Sequence, residues 1–252
     1  MLIWIIIFSI LGSLGAITAS GAFMLLNEKS QKLLTGILIS YATGTLLASA
    51  LLGLIPEAIE SAGHEPHNIM LFVLGGILFF FFLEKIVIWR VCPDESCDVH
   101  GDAQAPLILI GDAFHNFTDG FVIAASFLTD FTIGIAVGVA IIAHEIPQET
   151  GDFGILLHSG YSKKKAYISN ALSSSTTIPS AIISYFILGA LSAIIPFVLA
   201  ISAASFLYIA LSDLTPELHQ KLGLKYSVRQ ILLIILGIAT MMIVFTFSIH
   251  SH

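Results

Sequence analysis

Two short polar runs stand inside apolar sequence and carry the residue types that hold metal ions. In GDAFHNFTDG, Asp112, His115, Asn116 and Asp119 recur at spacings of three and four, which places all four on one face of a helix. In HEIPQETGDFG, His144 stands over Gln148 and Glu145 over Glu149, two adjacent stripes one turn deep, and Asp152 continues the same side. Imidazole, carboxylate and amide oxygen are hard-to-borderline ligands suited to Zn²⁺, Fe²⁺ or Mn²⁺, and the lack of thiolates argues against Cu(I). A single histidine in such a setting is often a hydrogen-bonded packing residue. His115 and His144 each have a carboxylate or amide at i+4, a coincidence that packing does not explain. Pro147 is expected to interrupt the helix: it removes one backbone hydrogen bond and frees the carbonyl of Ala143, a defect tolerated in a membrane where it lines a cavity or an ion.

The elements that position these runs are membrane helices. The chain has 252 residues, is 56% hydrophobic and 11% charged, and its mean hydropathy is +0.95, which excludes an ordinary water-soluble domain. Apolar stretches of roughly 20 residues, as a helical span requires, recur near 2–26, 33–56, 69–90, 106–128, 132–158, 164–187, 190–217 and 229–249. The weakest boundary lies at Gly189 to Ser192, between the sixth and seventh spans. The reading is a single all-α membrane domain over residues 1–252 with eight transmembrane helices. Five acids lie on the fourth and fifth spans, and an ionised Asp at a helix centre costs roughly 2.5–3.5 kcal/mol even on the lenient insertion scale. No Lys or Arg lies within those two spans, so protons or a bound cation must compensate.

All ten basic residues sit in or beside odd-numbered connections: Lys29 and Lys32, Lys85 and Arg90, Lys163 to Lys165, and Lys221, Lys225 and Arg229. Positive charge is retained in the cytoplasm, so the odd connections are cytosolic and both termini are extracytoplasmic. The first helix lacks a basic leader and a fitting cleavage site and is read as a retained span. Cys92, Cys97 and His100, in the third connection, are auxiliary soft ligands or incidental loop residues; their spacing matches no tight zinc motif, and a disulfide is not expected there. His64, Glu65 and His67, on the outer side, collect metal at an entrance or are ordinary loop residues. Glu84 and Lys85 are expected to pair or to snorkel toward the interface.

Leu47 to Glu57 (LASALLGLIPE) resembles Leu207 to Glu217 (LYIALSDLTPE) at a constant offset. By the charge rule the two segments run in opposite directions, the trace an inverted repeat leaves in transporters that bind substrate near the midplane. Chance similarity between Leu-rich helices ending in Pro-Glu is the alternative.

HNFTDG followed by HEIPQETGDFGILL resembles the paired signature of the ZIP (Zrt/Irt-like) family of divalent-metal transporters, in the branch with HNFxDG and HExPxExGD motifs. The similarity extends to GTLLASALLGLIPEA in the second span and FLYIALSDLTPEL in the seventh, so it covers essentially the whole chain. It implies a 3+2+3 arrangement with inverted repeats around helices four and five. It also implies transport of divalent transition metals into the cytosol by alternating access, with Zn²⁺ first and Fe²⁺, Mn²⁺ or Cd²⁺ as alternatives. By the same resemblance His115, Asp119, His144 and Gln148 hold the primary metal, while Asn116 and Glu145 contribute to an adjacent second site. Asp112, Glu149 and Asp152 are assigned to the path. Two departures stand out: family members commonly have His or Glu at the place of Gln148, and the sixth-span stretch NALSSSTTIPS has no acid where some members supply one. The metal is substrate, and no prosthetic group and no enzymatic activity are expected. The partners implied are metal ions, the bilayer of a multi-pass protein of the cell membrane, and a second copy in a homodimer, with no nucleic acid. The rivals are a membrane metal sensor or receptor and an intramembrane metalloprotease, the latter disfavoured because HEIPQ lacks the second histidine of HExxH.

Overall fold

A computed structural model describes residues 1–63, 66–91, 104–220 and 223–249. These residues group into eight helical units: α1 Leu2–Phe23, α2 28–61, α3 Pro66–Val91, α4 Gln104–Thr129, α5 Phe131–His158, α6 Lys163–Ala190, α7 Ser192–His219 and α8 Leu224–Ile249. Among the described residues, seven helices are long and apolar enough to cross a membrane. The remaining unit, α4, has the length; its run of Asp112, His115, Asn116 and Asp119 dilutes its apolar character. The boundaries sit close to those read from hydropathy, and the weak junction falls at Leu191, whose φ −124°, ψ 52° ends α6.

Prolines and their neighbours explain the irregular turns. Pro56 and Pro216 cannot donate to the preceding turn, and immediately before each the helix widens into a π-type turn, Ser49–Leu54 in α2 and Ile209–Leu214 in α7. These two wide turns occupy the same place in the two segments that share the Leu-rich, Pro-Glu pattern. Pro179 acts differently on α6, which breaks into a turn at residues 175–176 without widening. Against expectation, Pro147 does not interrupt α5; the helix runs through it from Phe131 to His158.

The helices pack as α2 on α8, α3 on α7, α4 on both α5 and α6, and α5 on α1 and α2. Small residues set the closest crossings. A methyl group at Gly120 would overlap the Thr177 carbonyl oxygen of α6, and one at Gly44 would overlap the Ile234 carbonyl oxygen of α8. The apolar core is continuous across α4, α5 and α7 through Val122, Ile123, Phe127, Val137, Ile141 and Phe206. Many hydroxyls buried within helices return to their own backbone, as Ser9 does to Ile5 at 2.7 Å and Ser40 to Gly36 at 2.6 Å, whereas those of Ser20, Ser49 and Ser126 make no hydrogen bond.

Candidate metal centre

The short link between α4 and α5 brings the two histidines together. Asp130 caps α5 by accepting from the backbone N–H groups of Thr132 at 2.8 Å and Ile133 at 3.0 Å, so the chain reverses across a single residue. His115 lies fifteen residues before that corner and His144 fourteen after it. At 1.5 Å per residue they are about 22.5 and about 21 Å down their antiparallel helices, at nearly the same depth.

Their side chains meet with those of Asp119 and Glu145. His115 Nε2 is 3.2 Å from His144 Nε2 and 3.3 Å from Glu145 Oε1; His144 Nε2 is 3.2 Å from Asp119 Oδ2. The longer separations are 3.6 Å from His144 to Glu145 and 3.8 Å from His115 to Asp119. One ligand atom from each residue lies within 4.8 Å of every other. Four ligands at zinc distances of 2.0–2.1 Å in a tetrahedron stand about 3.3 Å apart, and the measured separations scatter around that value. His144 Nδ1 lies 3.0 Å from the Ala140 carbonyl oxygen; donating there fixes the tautomer and leaves the Nε2 lone pair pointing at the cluster.

The centre's carboxylates lack hydrogen-bond partners. Asp119, His144 and Glu145 are buried, and all four carboxylate oxygens of Asp119 and Glu145 are without hydrogen bonds. Buried polar oxygens left in this state are costly. A cation at the centre of the four side chains would satisfy one oxygen of each carboxylate and both imidazole nitrogens at once.

The other sequence-predicted residues divide into two groups. Gln148, Asp112 and Asp152 lie with His115 on the wall of a cavity of about 1390 Å³. Asn116 turns toward α6: its Nδ2 donates to Asp112 Oδ1 at 2.9 Å, and its Oδ1 accepts from Thr177 at 2.8 Å and Ser174 at 3.4 Å. Glu149 is fully buried behind the cavity wall. Cys92, Cys97, His100, His64 and Glu65 lie outside the described residues, and His67 is exposed. Glu84 does not pair with Lys85; it accepts a hydrogen bond from the Tyr208 hydroxyl of α7, while the Lys85 ammonium sits 5.7 Å from the Phe81 ring. An aromatic hydroxyl reachable across the α3–α7 contact outcompetes a neighbour along the same helix, because residues i and i+1 point to different sides.

The cavity reaches from His115 past Phe80, Tyr208 and Asp213 to Met24, Gln31, Ile155 and Glu217, beside the first, fifth and seventh connections. Toward the opposite end, the α4–α5 pair is filled by Val122, Ile123, Phe127, Val137, Ala140 and Ile141, all 3% exposed or less. A separate hollow of about 480 Å³ at that end is lined by Glu57, Ser61, Thr129 and Ser192.

The α6 contribution was not legible beforehand. Ser173 donates to Asp112 Oδ2 at 2.5 Å, Thr176 to the Ala113 carbonyl at 2.7 Å, and Ser180 to the Phe117 carbonyl at 2.5 Å, a ladder that holds α4 in place. The signal was the SSSTT run in an otherwise apolar span, which could be read only as an absence of acids.

The family model described as ZIP Zinc transporter matches residues 93–244, more than half of the chain. Zinc transporter zipt-7.2 of Caenorhabditis elegans is 29% identical over 90% of this chain and 63% of its own length. The Zinc transporter ZIP13 homolog of Drosophila melanogaster is 29% identical over 93% of this chain and 87% of its own, and Zinc transporter ZIP13 of Gallus gallus is 30% identical over 82% and 72%.

Proposed function

The chain belongs to the ZIP zinc transporter family, and from that premise we propose that it carries divalent transition-metal ions, Zn²⁺ foremost, across a membrane into the cytosol. One observation carries the reading. Two imidazole nitrogens and two carboxylate oxygens converge at tetrahedral separations, with no other hydrogen-bond partner for the carboxylates, at the head of a cavity that leads to one face of the molecule.

His115, Asp119, His144 and Glu145 are the ligands of the transported ion in this reading. Gln148 stands one turn from His144 on the cavity wall and receives the ion as it moves off; Asp112 and Asp152 continue the path. Histidines and carboxylates must be deprotonated to bind metal, so protons leave the site as the ion enters it.

Eight spans in a 3+2+3 arrangement account for the packing. Exchanging α1 with α6, α2 with α7, α3 with α8 and α4 with α5 turns the α2–α8 contact into α7–α3, the α1–α5 contact into α6–α4 and the α2–α5 contact into α7–α4, each of which occurs. The matched π-type turns before Pro56 and Pro216 obey the same exchange. Such pseudo-symmetry supports alternating access by rocking of the two three-helix units about the central pair. By the positive-inside rule the cavity's face is cytosolic and the apolar plug lies between the ion and the outside, an inward-open state with both termini extracytoplasmic. The setting proposed is the cell membrane.

The test is uptake of Zn²⁺, Fe²⁺, Mn²⁺ and Cd²⁺ by proteoliposomes holding the purified chain. Saturable uptake of at least one of them, Zn²⁺ foremost, is the expected result. Stoichiometric binding without any uptake would replace the transporter with a metal sensor.

A further inference from the structure

Outward of the histidine centre, the stripes on which α4 and α5 carry their ligands are filled by apolar side chains, with one buried exception. Counted at about 100° per residue, Asp119, Val122, Ser126 and Thr129 all lie within about 40° of His115 around α4, a single stripe that runs from the centre toward the corner at Asp130. The stripe of α5 that carries His144 continues outward as Ala140, Ile141, Val137 and Ile133, with no polar side chain. Ser126 is 0% exposed, and its hydroxyl has no hydrogen-bond partner. A serine in a membrane helix ordinarily returns its hydroxyl to the carbonyl one turn back, as Ser9 does at 2.7 Å, Ser13 at 2.6 Å and Ser202 at 2.8 Å. Ser20, Ser49 and Ser159 share the unpartnered state, but the first two belong to α1 and α2 and the third lies past the end of α5. Ser126 alone of these stands on a ligand stripe. It is seven residues, about 10 Å, outward of Asp119 and one turn inward of Thr129, which lines the outer hollow of about 480 Å³.

A hydroxyl buried without a partner raises the energy of the state that buries it, and water or a cation reaching the oxygen removes that cost. The closed plug of Phe127, Val137 and Ile141 offers Ser126 neither. An arrangement open to the outside offers both, so the residue favours opening and then faces an ion on its way from the hollow to Asp119. A neutral oxygen there replaces a hydration water without competing with the charged centre. An ion path needs such steps, attractive enough to be entered and weak enough to be left.

We propose that Ser126 is the polar step of the outer ion path, wetted when the plug opens and presenting its oxygen to the ion between Thr129 and Asp119. The inference rests on the transport reading and adds to it a residue outside the four-ligand centre. Its test compares Ser126→Ala, Ser126→Thr and Ser126→Val by two measurements: Zn²⁺ uptake into right-side-out vesicles, and calorimetric Zn²⁺ binding to the purified full chain, whose centre is reached from the cavity. Ser126→Ala and Ser126→Val should lower kcat/KM for uptake about twofold to tenfold, as the loss of one hydrogen bond would, with the affinity of the purified chain unchanged. Thr and Val share one shape, so Ser126→Thr, which keeps the hydroxyl, should retain clearly more uptake than Ser126→Val. Equal losses in the Thr and Val variants would reduce Ser126 to a packing residue and overturn the proposal. A fall in binding affinity that matches the fall in uptake would assign the effect to the centre and overturn it as well. Unchanged uptake by Ser126→Ala would take the residue off the path and leave the transport reading intact. Absence of uptake by the unsubstituted chain would instead end the transport reading, and the proposed path with it.

Discussion

On the side of the His115–His144 level that faces the odd-numbered connections, α4 and α5 present Asp112, Gln148, Asp152 and the flat ring of Pro147 to a cavity of about 1390 Å³. On the other side the same two helices present Val122, Ile123, Phe127, Val137 and Ile141 to one another and to α7, with no space between them. The helices do not change in kind at the boundary; only the residues on their facing stripes do. Polar stripes cannot pack without partners and leave a water-accessible path, whereas apolar stripes close it. The ion centre sits where the two regimes meet, which is where a carrier must hold a dehydrated ion that can reach one side at a time.

The largest effect should come from the boundary itself. Asp119→Ala or His115→Ala removes a ligand but little packing volume, and uptake should fall to the level of empty vesicles while the protein remains in the membrane. Wild-type uptake by either folded variant would remove these residues from the centre.

The contrast between open and closed halves can be read by single cysteines in a chain with Cys92 and Cys97 replaced by serine. Gly151→Cys, exposed on the cavity wall, should react with an impermeant thiol reagent added from the side of the odd connections. Ala140→Cys, in the plugged half, should stay unlabelled from either side. Equal labelling of both would erase the distinction between the halves.

A subtler change sharpens it. Gln148 supplies a neutral amide oxygen beside the ion path, and Gln148→His should tighten Zn²⁺ several-fold, lowering both the apparent KM and the maximal rate, and should favour Zn²⁺ over Mn²⁺. Uptake curves for both metals, unchanged by the substitution, would show that Gln148 does not touch the ion.

The smallest effects concern packing. Gly120→Ala drives a methyl group into the α6 backbone at Thr177 and Ala181, an overpacking that should cost about 1–3 kcal/mol. Gly151→Ala meets nothing within 4 Å, on the cavity side, and should be neutral or gain up to about 1 kcal/mol from helix propensity. Thermal unfolding of the two variants in detergent should therefore move in opposite directions or differ clearly in size.

Much of this is legible in the sequence alone. The helical units follow hydropathy because a bilayer-length apolar run has few alternatives, and the i+4 partners of His115 and His144 follow from helix periodicity alone. The similarity of residues 47–57 to 207–217 came with a shared physical cause, a proline that widens the turn before it. Rotation between helices was not readable. Spacing left His144 and Glu145 on adjacent stripes, and only the turn at Asp130 decides that both lean toward α4 and place Glu145 Oε1 3.3 Å from His115. The hydroxyl ladder on α6 was hidden for another reason. Ser and Thr in a membrane helix bond back to their own turn as readily as to a neighbour, so their presence carries no direction.

The most direct measurement is zinc K-edge X-ray absorption on the purified chain loaded with a single equivalent of Zn²⁺. Ligation by His115, Asp119, His144 and Glu145 requires a four-coordinate shell of nitrogen and oxygen at about 2.0–2.2 Å, with imidazole outer-shell scattering from two rings. That scattering should weaken by half in His144→Ala. A sulfur shell near 2.3 Å, or a spectrum without imidazole scattering, would contradict the centre assigned to α4 and α5.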